Sequence, residues 1–358
     1  MKLHKKTLYL TILLPVQVLF VYFISQHPTW VEQYYSNGFY PVISKILRIL
    51  LGWLPFSFGD TLGIILLVLL IRSIYKLIKN RFKNFIPQLL NFTAILSIIY
   101  FCFYCFWGLN YFREPLANSL DLQQSKYSTK QLVETTKNVI FKLNEYQFKI
   151  TQNDTLKVEV PYSTKEIYNK ALDGYKTLAK TYPQLNYTQP SVKSSLVSLM
   201  QSYNGTAGYL NPLTGEAHVN DMIPKTGYPA TTCHEIAHQI GWSAENDANF
   251  VGFLAAIANK DIYFKYSGYR MAFYYLISDV RKRDEELSKQ LWQTVNKGIS
   301  KDFRASYLHW KQFDNPIEPY LKKGYNSYLK ANKQEKGIAS YSYVVDLLIA
   351  YNQQKTIL

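Results

Sequence analysis

The sequence predicts a mainly helical protein that begins with three transmembrane helices and continues as a polar α+β domain. Three observations predict this fold class. Long apolar runs dominate residues 1–111, whereas residues 112–358 have a mixed composition rich in Tyr and Lys. Most of the second part has the apolar spacing of helices. One stretch before residue 221 carries Asn-Gly and Asn-Pro turns between short runs, which predicts a small antiparallel sheet.

Three apolar segments, at about residues 7–26, 56–78 and 89–111, are each long enough to cross a bilayer core. The first could alternatively be a cleaved signal peptide. It is longer than the usual apolar core of such peptides, however, and no small-residue cleavage site follows it. We therefore expect a retained anchor, and we expect the lipid bilayer to be a partner of residues 1–111.

Basic residues predict the orientation of these helices. Lys2, Lys5 and Lys6 precede the first segment, and four basic residues lie within positions 76–83, between the second and third. Such clusters stay on the cytoplasmic side. We therefore expect a multi-pass protein of the cytoplasmic membrane with its N-terminus inside and residues 112–358 as an extracytoplasmic domain.

The segment at about residues 39–55 separates the first two spans. Its apolar residues recur at helical spacing and are interrupted by Lys45 and Arg48. This pattern predicts an amphipathic helix on the outer membrane interface. A fourth span is the alternative, and it would reverse the side on which the last domain lies.

The overall charge and the cysteines exclude two classes of protein. The formal net charge is +15, but the basic residues form neither a concentrated face nor a known nucleic-acid-binding module, so we expect no nucleic-acid partner. The three cysteines provide no even-numbered framework in the polar half. Disulfides therefore do not hold this fold together.

Two capping boxes predict helices early in the polar half, one at Ser128 with Gln131 and one at Ser163 with Glu166. The predicted sheet follows, and its segment EAHVN could be the edge on which an extended peptide pairs. His218 and Asn220 in that segment are candidate substrate contacts.

The stretch TTCHEIAHQIGWSAENDANF, residues 231–250, contains a candidate metal site. His234 and His238 lie one helical turn apart, so both rings point to one side. Glu235 lies beside them, where it can reach a metal-bound water. Zinc peptidases that use a glutamate as general base have this arrangement. Cys233, next to His234, is expected to be a small buried residue.

A catalytic zinc site usually has three protein ligands. Gly241 predicts the end of the histidine helix and a reversal of the chain, and Ser243 could cap the next helix. Glu245 would then lie in the first turn of that helix and serve as the third ligand. Asp247 is the alternative ligand, and Asn249 could hydrogen-bond to a ligand.

A second electrophile usually stabilises the oxyanion in such sites. Tyr269 and Tyr341 are the candidates for this role, and core packing is the alternative explanation for each of them.

The order HEIAH and then ENDAN resembles gluzincins, in which two histidines and a glutamate from the next helix bind zinc. Together with the three apolar segments, NPLTGEAHVN and YSGY, it resembles a family of bacterial membrane proteins of unknown function with a zincin-like domain. The resemblance implies a zincin-like fold for residues 112–358 and a Zn²⁺ cofactor. Metzincins have a third histidine ligand at the position where this chain has Ala244. The chain therefore does not have the metzincin set of ligands.

The sequence therefore predicts a membrane-anchored zinc metallopeptidase that hydrolyses an amide of a peptide or peptide-like substrate. A zinc-activated water attacks and Glu235 is the general base. The alternative is a non-catalytic membrane protein with a structural metal site or a peptidase-derived binding module. Cleavage inside the bilayer is disfavoured, because Gln239, Glu245 and Asn246 make the motif's surroundings too polar for lipid.

Overall fold

The computed structural model describes residues 5–123, 126–334 and 343–355. The protein is mainly helical, with three apolar helices that are long enough to cross a membrane and a small mixed sheet. The first part of the chain forms α1 (Lys5–Ser25), α2 (Pro28–Trp30), a π-helix (Val31–Phe39), α3 (Tyr40–Leu51), α4 (Phe58–Lys79), α5 (Phe85–Phe106) and a 3-10 helix (Gly108–Phe112).

The three long apolar helices are α1, α4 and α5, as the sequence predicted. Two of them, α1 and α5, pack along each other, with the Thr11 and Thr93 hydroxyls 2.9 Å apart. In contrast, every residue of α4 from position 63 to position 76 is exposed. Within the described structure, α4 therefore stands apart from the other two spans over about four helical turns.

Helix α3 is amphipathic, as predicted, but it is shorter than expected and covers Tyr40–Leu51. Its buried positions are the polar or amphipathic residues Tyr40, Ser44 and Arg48. Its apolar side chains Val42 and Ile46 are exposed instead. The helix thus turns its polar face to the protein and leaves its apolar face uncovered, which is typical of a helix that lies on a membrane surface.

The polar part of the chain contains eleven further α-helices, one 3-10 turn and three strands within the described residues. They are α6 (Leu116–Ser119), α7 (Thr129–Thr151), α8 (Thr164–Leu178), a 3-10 turn (Pro183–Leu185), β1 (Val192–Ser194), α9 (Ser198–Tyr203), β2 (Gly208–Leu210), β3 (Ala217–Val219), α10 (Tyr228–Gln239), α11 (Glu245–Ala258), α12 (Ile262–Arg283), α13 (Glu285–Gln293), α14 (Lys297–Lys311), α15 (Glu318–Ala331) and α16 (Val344–Lys355). Both predicted capping boxes are present, at the starts of α7 and α8.

The sheet is mixed and has the strand order β1-β3-β2, so the prediction of a purely antiparallel sheet is wrong. β2 pairs antiparallel with β3, whereas β1 pairs parallel with it. A parallel partner was missed because β1 and β3 are joined by a crossover through α9 and β2. β3, which contains His218, is the central strand, and the segment EAHVN is therefore not a free edge.

The main hydrophobic core lies around α10 and α11, with α7, α8, α12 and α16 packed around them. Aromatic residues fill its centre, and Phe250, Phe253, Phe264 and Phe273 are fully buried. Burying one such side chain contributes roughly 1.5–3 kcal/mol relative to leaving it exposed. This core holds α10, which carries both histidines of the motif, against α11, which carries Glu245.

Residues on the two sides of position 111 contact each other at the end of α10. Tyr40 and Ser44 of α3 both donate hydrogen bonds to the backbone oxygen of Gln239, at 2.9 and 3.1 Å. Trp107, directly after α5, donates through Nε1 to the His238 oxygen at 3.1 Å. Residues near the membrane helices thus satisfy carbonyl groups at the end of α10, where no intrahelical partner remains.

Candidate metal centre

The two motif histidines share one face of α10. Their ring centroids lie 4.6 Å apart, with the rings nearly perpendicular. The helix ends at Gln239, and Gly241 follows with φ at +97°, a conformation that is unfavourable for other residues. The predicted reversal at Gly241 is therefore present, and it brings the next helix back to the histidines.

Glu245 is the first residue of α11 and lies beside both imidazoles. Its Oε2 is 3.4 Å from His234 Nε2 and 3.6 Å from His238 Nε2. The N-cap of α11 is Ala244 and no side chain caps the helix, so the prediction that Ser243 caps it is wrong. Glu245 therefore reaches the histidines through the backbone reversal and without a side-chain cap.

The hydrogen bonds of His238 define its tautomer. Its Nδ1 lies 2.7 Å from the Trp242 carbonyl oxygen, which can only accept, so Nδ1 carries the hydrogen. Nε2 then presents a lone pair to the Glu245 carboxylate. Two acceptors that face each other require a proton or a cation between them, and a backbone partner on Nδ1 is common for metal-binding histidines.

The electrostatics of this pair reflect the same requirement. Burial lowers the pKa of His238, but the hydrogen bond to Glu245 and its negative charge outweigh burial and raise the pKa to about 9. Burial acts to raise the pKa of Glu245, but hydrogen bonds and charge from the two histidines hold it well below its usual value. A bound cation would take the place of the shared proton.

Glu235 is buried on the other side of the histidines, against strand β2. A Cβ atom on Gly208 would lie 2.7 Å from the Glu235 Cδ, so only glycine leaves room for this carboxylate. Its Oε2 is buried and has no hydrogen-bond partner within the described structure. Burial raises the pKa of Glu235 to about 7, although both histidines act to lower it. A carboxylate with such a pKa can exchange a proton near neutral pH.

The four side chains offer two possible sets of three ligands. His234, Glu235 and His238 place ligand atoms within 4.8 Å of one another. In the set with Glu245, Oε2 of Glu245 lies within 3.6 Å of Nε2 of both imidazoles. We favour the second set, since β2 holds Glu235 while Glu245 faces the histidine nitrogens. Two imidazoles and a carboxylate form a donor set that suits zinc.

Residues from distant parts of the chain hold Glu245 and the turn at Gly241 in position. The hydroxyl of Tyr325, on α15, donates to Glu245 Oε1 at 2.7 Å. Arg113 donates to the Gly241 oxygen at 3.0 Å and its guanidinium lies 3.6 Å from the Trp242 ring centroid. Tyr325, Trp107 and Arg113 were not predicted from the sequence, because each lies far along the chain from the motif and no short pattern contains them.

A cavity of about 880 Å³ opens at the group. Glu235 and Glu245 line it together with both histidines, and β2 forms part of its wall through Gly208, Tyr209 and Leu210. Aromatic side chains from several helices complete the lining, namely Trp107, Tyr111, Tyr274, Tyr275, Tyr325 and Tyr328. Volumes of about 300–1,000 Å³ are typical of small-molecule and cofactor sites.

Two residues near Glu245 in sequence have different positions. Asn249 lines the cavity, as its predicted supporting role requires. Asp247 is buried away from the cavity and accepts hydrogen bonds from the Leu116 backbone at 3.4 Å and from Asn246 at 2.8 Å. It is therefore not placed as the alternative ligand. Helix geometry explains the difference, since positions 245 and 249 lie one turn apart on the same face, whereas position 247 points to a different side.

The other predicted site residues either lie away from the cavity or fall outside the residues that the structure describes. Tyr269 is in the core, stacked on Tyr146 at 5.6 Å. His218 is fully buried and its Nε2 lies 2.7 Å from the Ser57 hydroxyl. Asn220 is also fully buried and bonds to Ser202 and to the Thr206 carbonyl. None of these three side chains lines the cavity, so the structure does not place them at the site. Tyr341 lies outside the described residues.

Comparison with known proteins identifies the family. Residues 35–349 match the family described as "Protein of unknown function (DUF3810)", and the chain belongs to it. The match begins within the π-helix (Val31–Phe39) and covers α3, the apolar helices α4 and α5, and the polar part with the histidine motif. No curated protein and no solved structure gave a significant match.

Proposed function

We propose that this DUF3810 protein is a membrane-anchored zinc metallopeptidase with a gluzincin-like site. The observation that carries the proposal is the convergence of His234, His238 and Glu245, whose facing atoms lie 3.4–3.6 Å apart. Glu235 lies next to them in the same cavity. A purely structural metal site has no need for such an unpaired buried carboxylate.

In this proposal each side chain has a separate role. His234, His238 and Glu245 hold Zn²⁺, which supplies Lewis acidity to water and to the scissile carbonyl. Glu235 accepts the proton from the attacking water and delivers it to the leaving amine. Its raised pKa, about 7, suits both halves of this transfer near neutral pH.

The chain's own contacts keep these groups in position. Trp242 fixes the tautomer of His238 through Nδ1. Tyr325 fixes one oxygen of Glu245 and leaves the other facing the histidines. Other tyrosines that line the cavity, Tyr111, Tyr274, Tyr275 and Tyr328, are candidates for oxyanion stabilisation in place of Tyr269.

We also propose that the site faces the extracytoplasmic side. The end of α1, the start of α4 and the end of α5 all lie at the end of the spans that carries the polar part, as the contacts of Ser25, Asp60 and Trp107 indicate. The basic residues in the connection between α4 and α5 lie at the opposite end and belong to the cytoplasm by the positive-inside rule.

The direct test compares the zinc-loaded full chain with the Glu235→Gln variant on a randomised fluorogenic peptide mixture. Loss of the general base should lower hydrolysis by at least about 10²-fold while zinc content stays the same. Equal zinc content without any hydrolysis by the wild-type chain would instead favour the structural metal site. Hydrolysis that survives in Glu235→Gln would refute the assigned role of Glu235.

A further inference from the structure

The candidate metal centre lies directly at the end of a membrane-spanning helix. Helix α5 ends at Phe106, and the next residue, Trp107, contacts His238 through a hydrogen bond of 3.1 Å. Trp107 and Tyr111, which follow the span, also line the cavity. No spacer therefore separates the cavity from this end of the span.

The opposite wall of the cavity is fastened to the start of a second span. Tyr209 of β2 donates a hydrogen bond to Asp60 in the first turn of α4, and Asp60 also accepts from the Leu196 backbone at 2.7 Å. Glu216, next to β3, accepts from the backbone of Phe58 at 3.1 Å and of Gly59 at 2.6 Å. An acidic group at a helix N-terminus is favourable, so these bonds hold β2 at the start of α4.

The two spans that flank the cavity do not pack together. Helix α5 pairs with α1, while residues 63–76 of α4 are exposed on all sides in the described structure. In a bilayer, lipid covers such a helix. Lipid therefore fills the space between α4 and the α1–α5 pair. This space lies on the membrane side of the cavity.

Exposed apolar side chains lie on the protein surface near the start of α4 and on α3. Leu199 and Met200 of α9 are 53% and 69% exposed, close in sequence to Leu196, which bonds to the start of α4. The uncovered apolar face of α3 includes Trp53 just beyond its end, 75% exposed. Since α3 bonds to Gln239, next to His238, the metal centre and these apolar side chains belong to one membrane-facing surface.

We propose that the substrate is a polypeptide held in the bilayer by its own apolar anchor, beside α4, and that its scissile amide enters the cavity at the membrane surface. This inference rests on the proposed function and adds the substrate class. Water adds across the amide C–N bond: its hydroxyl joins the acyl carbon and its hydrogen joins the amine. The anchor stays in the membrane with one product, and the other product is released to water.

The test uses the full chain in lipid nanodiscs, loaded with zinc. Three probes share one randomised fluorogenic region and carry an apolar helix of about 20 residues, a palmitoyl chain or a polar tail. We expect both anchored probes, or one of them, to be cleaved at least about 10²-fold faster than the polar-tail probe. Comparison of the two anchored probes identifies whether the anchor is a transmembrane helix or a lipid chain.

The position of cleavage separates this proposal from simple concentration of the probe in the membrane. Because the cavity begins one residue beyond α5, we expect cleavage within about five residues of the anchor, at roughly 3.3–3.6 Å per residue. Cleavage spread evenly along the region, or equal cleavage of the polar-tail probe, would overturn the proposal and leave the metallopeptidase function intact. Hydrolysis of none of the probes would instead count against the metallopeptidase function.

A second measurement does not depend on hydrolysis. A photo-crosslinking residue replaces Leu199 in the zinc-loaded Glu235→Gln chain, and a matched control replaces Phe141, which is 61% exposed on α7 and does not line the cavity. We expect crosslinks to the anchored probes at position 199 and few at position 141. Equal crosslinking of anchored and polar-tail probes at position 199 would overturn the anchor's placement, whatever the cleavage result.

Discussion

The position of Glu235 depends on the absence of a side chain at residue 208, and Gly208→Ala tests this dependence. The added Cβ would lie 2.7 Å from the Glu235 Cδ and 2.7 Å from the His218 carbonyl oxygen. Ordinary contacts between carbon atoms are about 3.5–4.0 Å, so the carboxylate must move by about 1 Å. The contact with the His218 oxygen, which belongs to the central strand, must be relieved by a small shift of β2 at residue 208, and the side chain of Glu235 must move as well.

A displacement of this size at a general base lowers the rate by about 10²-fold. Zinc content should stay near that of the wild type, since the atoms nearest to an added Cβ at residue 208 belong to Glu235 and His218 rather than to the three proposed ligands. The assay measures hydrolysis of the fluorogenic peptide mixture and zinc by mass spectrometry on the same preparation. Gly324→Ala is the matched control, because an added methyl there meets nothing within 4 Å.

Hydrolysis by Gly208→Ala within threefold of the wild-type rate would refute the assignment of Glu235 as the base in this geometry. Loss of zinc from Gly208→Ala, with zinc retained in Gly324→Ala, would show that Glu235 is a ligand and would favour the set His234, Glu235 and His238.

Further predictions concern the supporting contacts. Tyr325→Phe removes the hydrogen bond to Glu245 and should weaken zinc binding by about 10-fold or more, measured by competition with a chelating dye; unchanged affinity would contradict a supporting role. Residues 112–358 expressed alone lack Tyr40, Ser44 and Trp107, so we expect them to aggregate or to unfold at a lower temperature than the full chain, measured by circular dichroism and light scattering. A folded, zinc-binding fragment would show that these contacts are dispensable. Removal of zinc by chelation should lower the unfolding temperature of the wild-type chain but not that of Glu245→Ala, because only a bound ligand stabilises the folded state.

Local patterns predicted much of the site. The spacing of His234 and His238, the turn at Gly241 and the helix that begins at Glu245 all follow from rules that act over one or two helical turns. The same holds for the three apolar helices and for the capping boxes at Ser128 and Ser163. These features were predictable because the residues that determine them are neighbours in sequence.

Contacts between distant segments were not predictable in this way. Tyr40 bonds to Gln239, Trp107 to His238 and Tyr325 to Glu245, across 199, 131 and 80 positions of the chain. The polar face of α3 illustrates the difficulty. Its spacing indicates an amphipathic helix, but nothing local shows that Tyr40 and Ser44 contact the end of α10 rather than water.

The central claim is that His234, His238 and Glu245 bind one zinc ion, and X-ray absorption at the zinc edge on the purified full chain tests it most directly. We expect about one zinc per chain, with two imidazole nitrogens at about 2.0–2.1 Å and a carboxylate oxygen at a similar distance. The zinc should be lost from Glu245→Ala and retained in Glu235→Gln and Asp247→Asn. A wild-type chain without zinc, or zinc retained in Glu245→Ala and lost from Glu235→Gln, would contradict the claim.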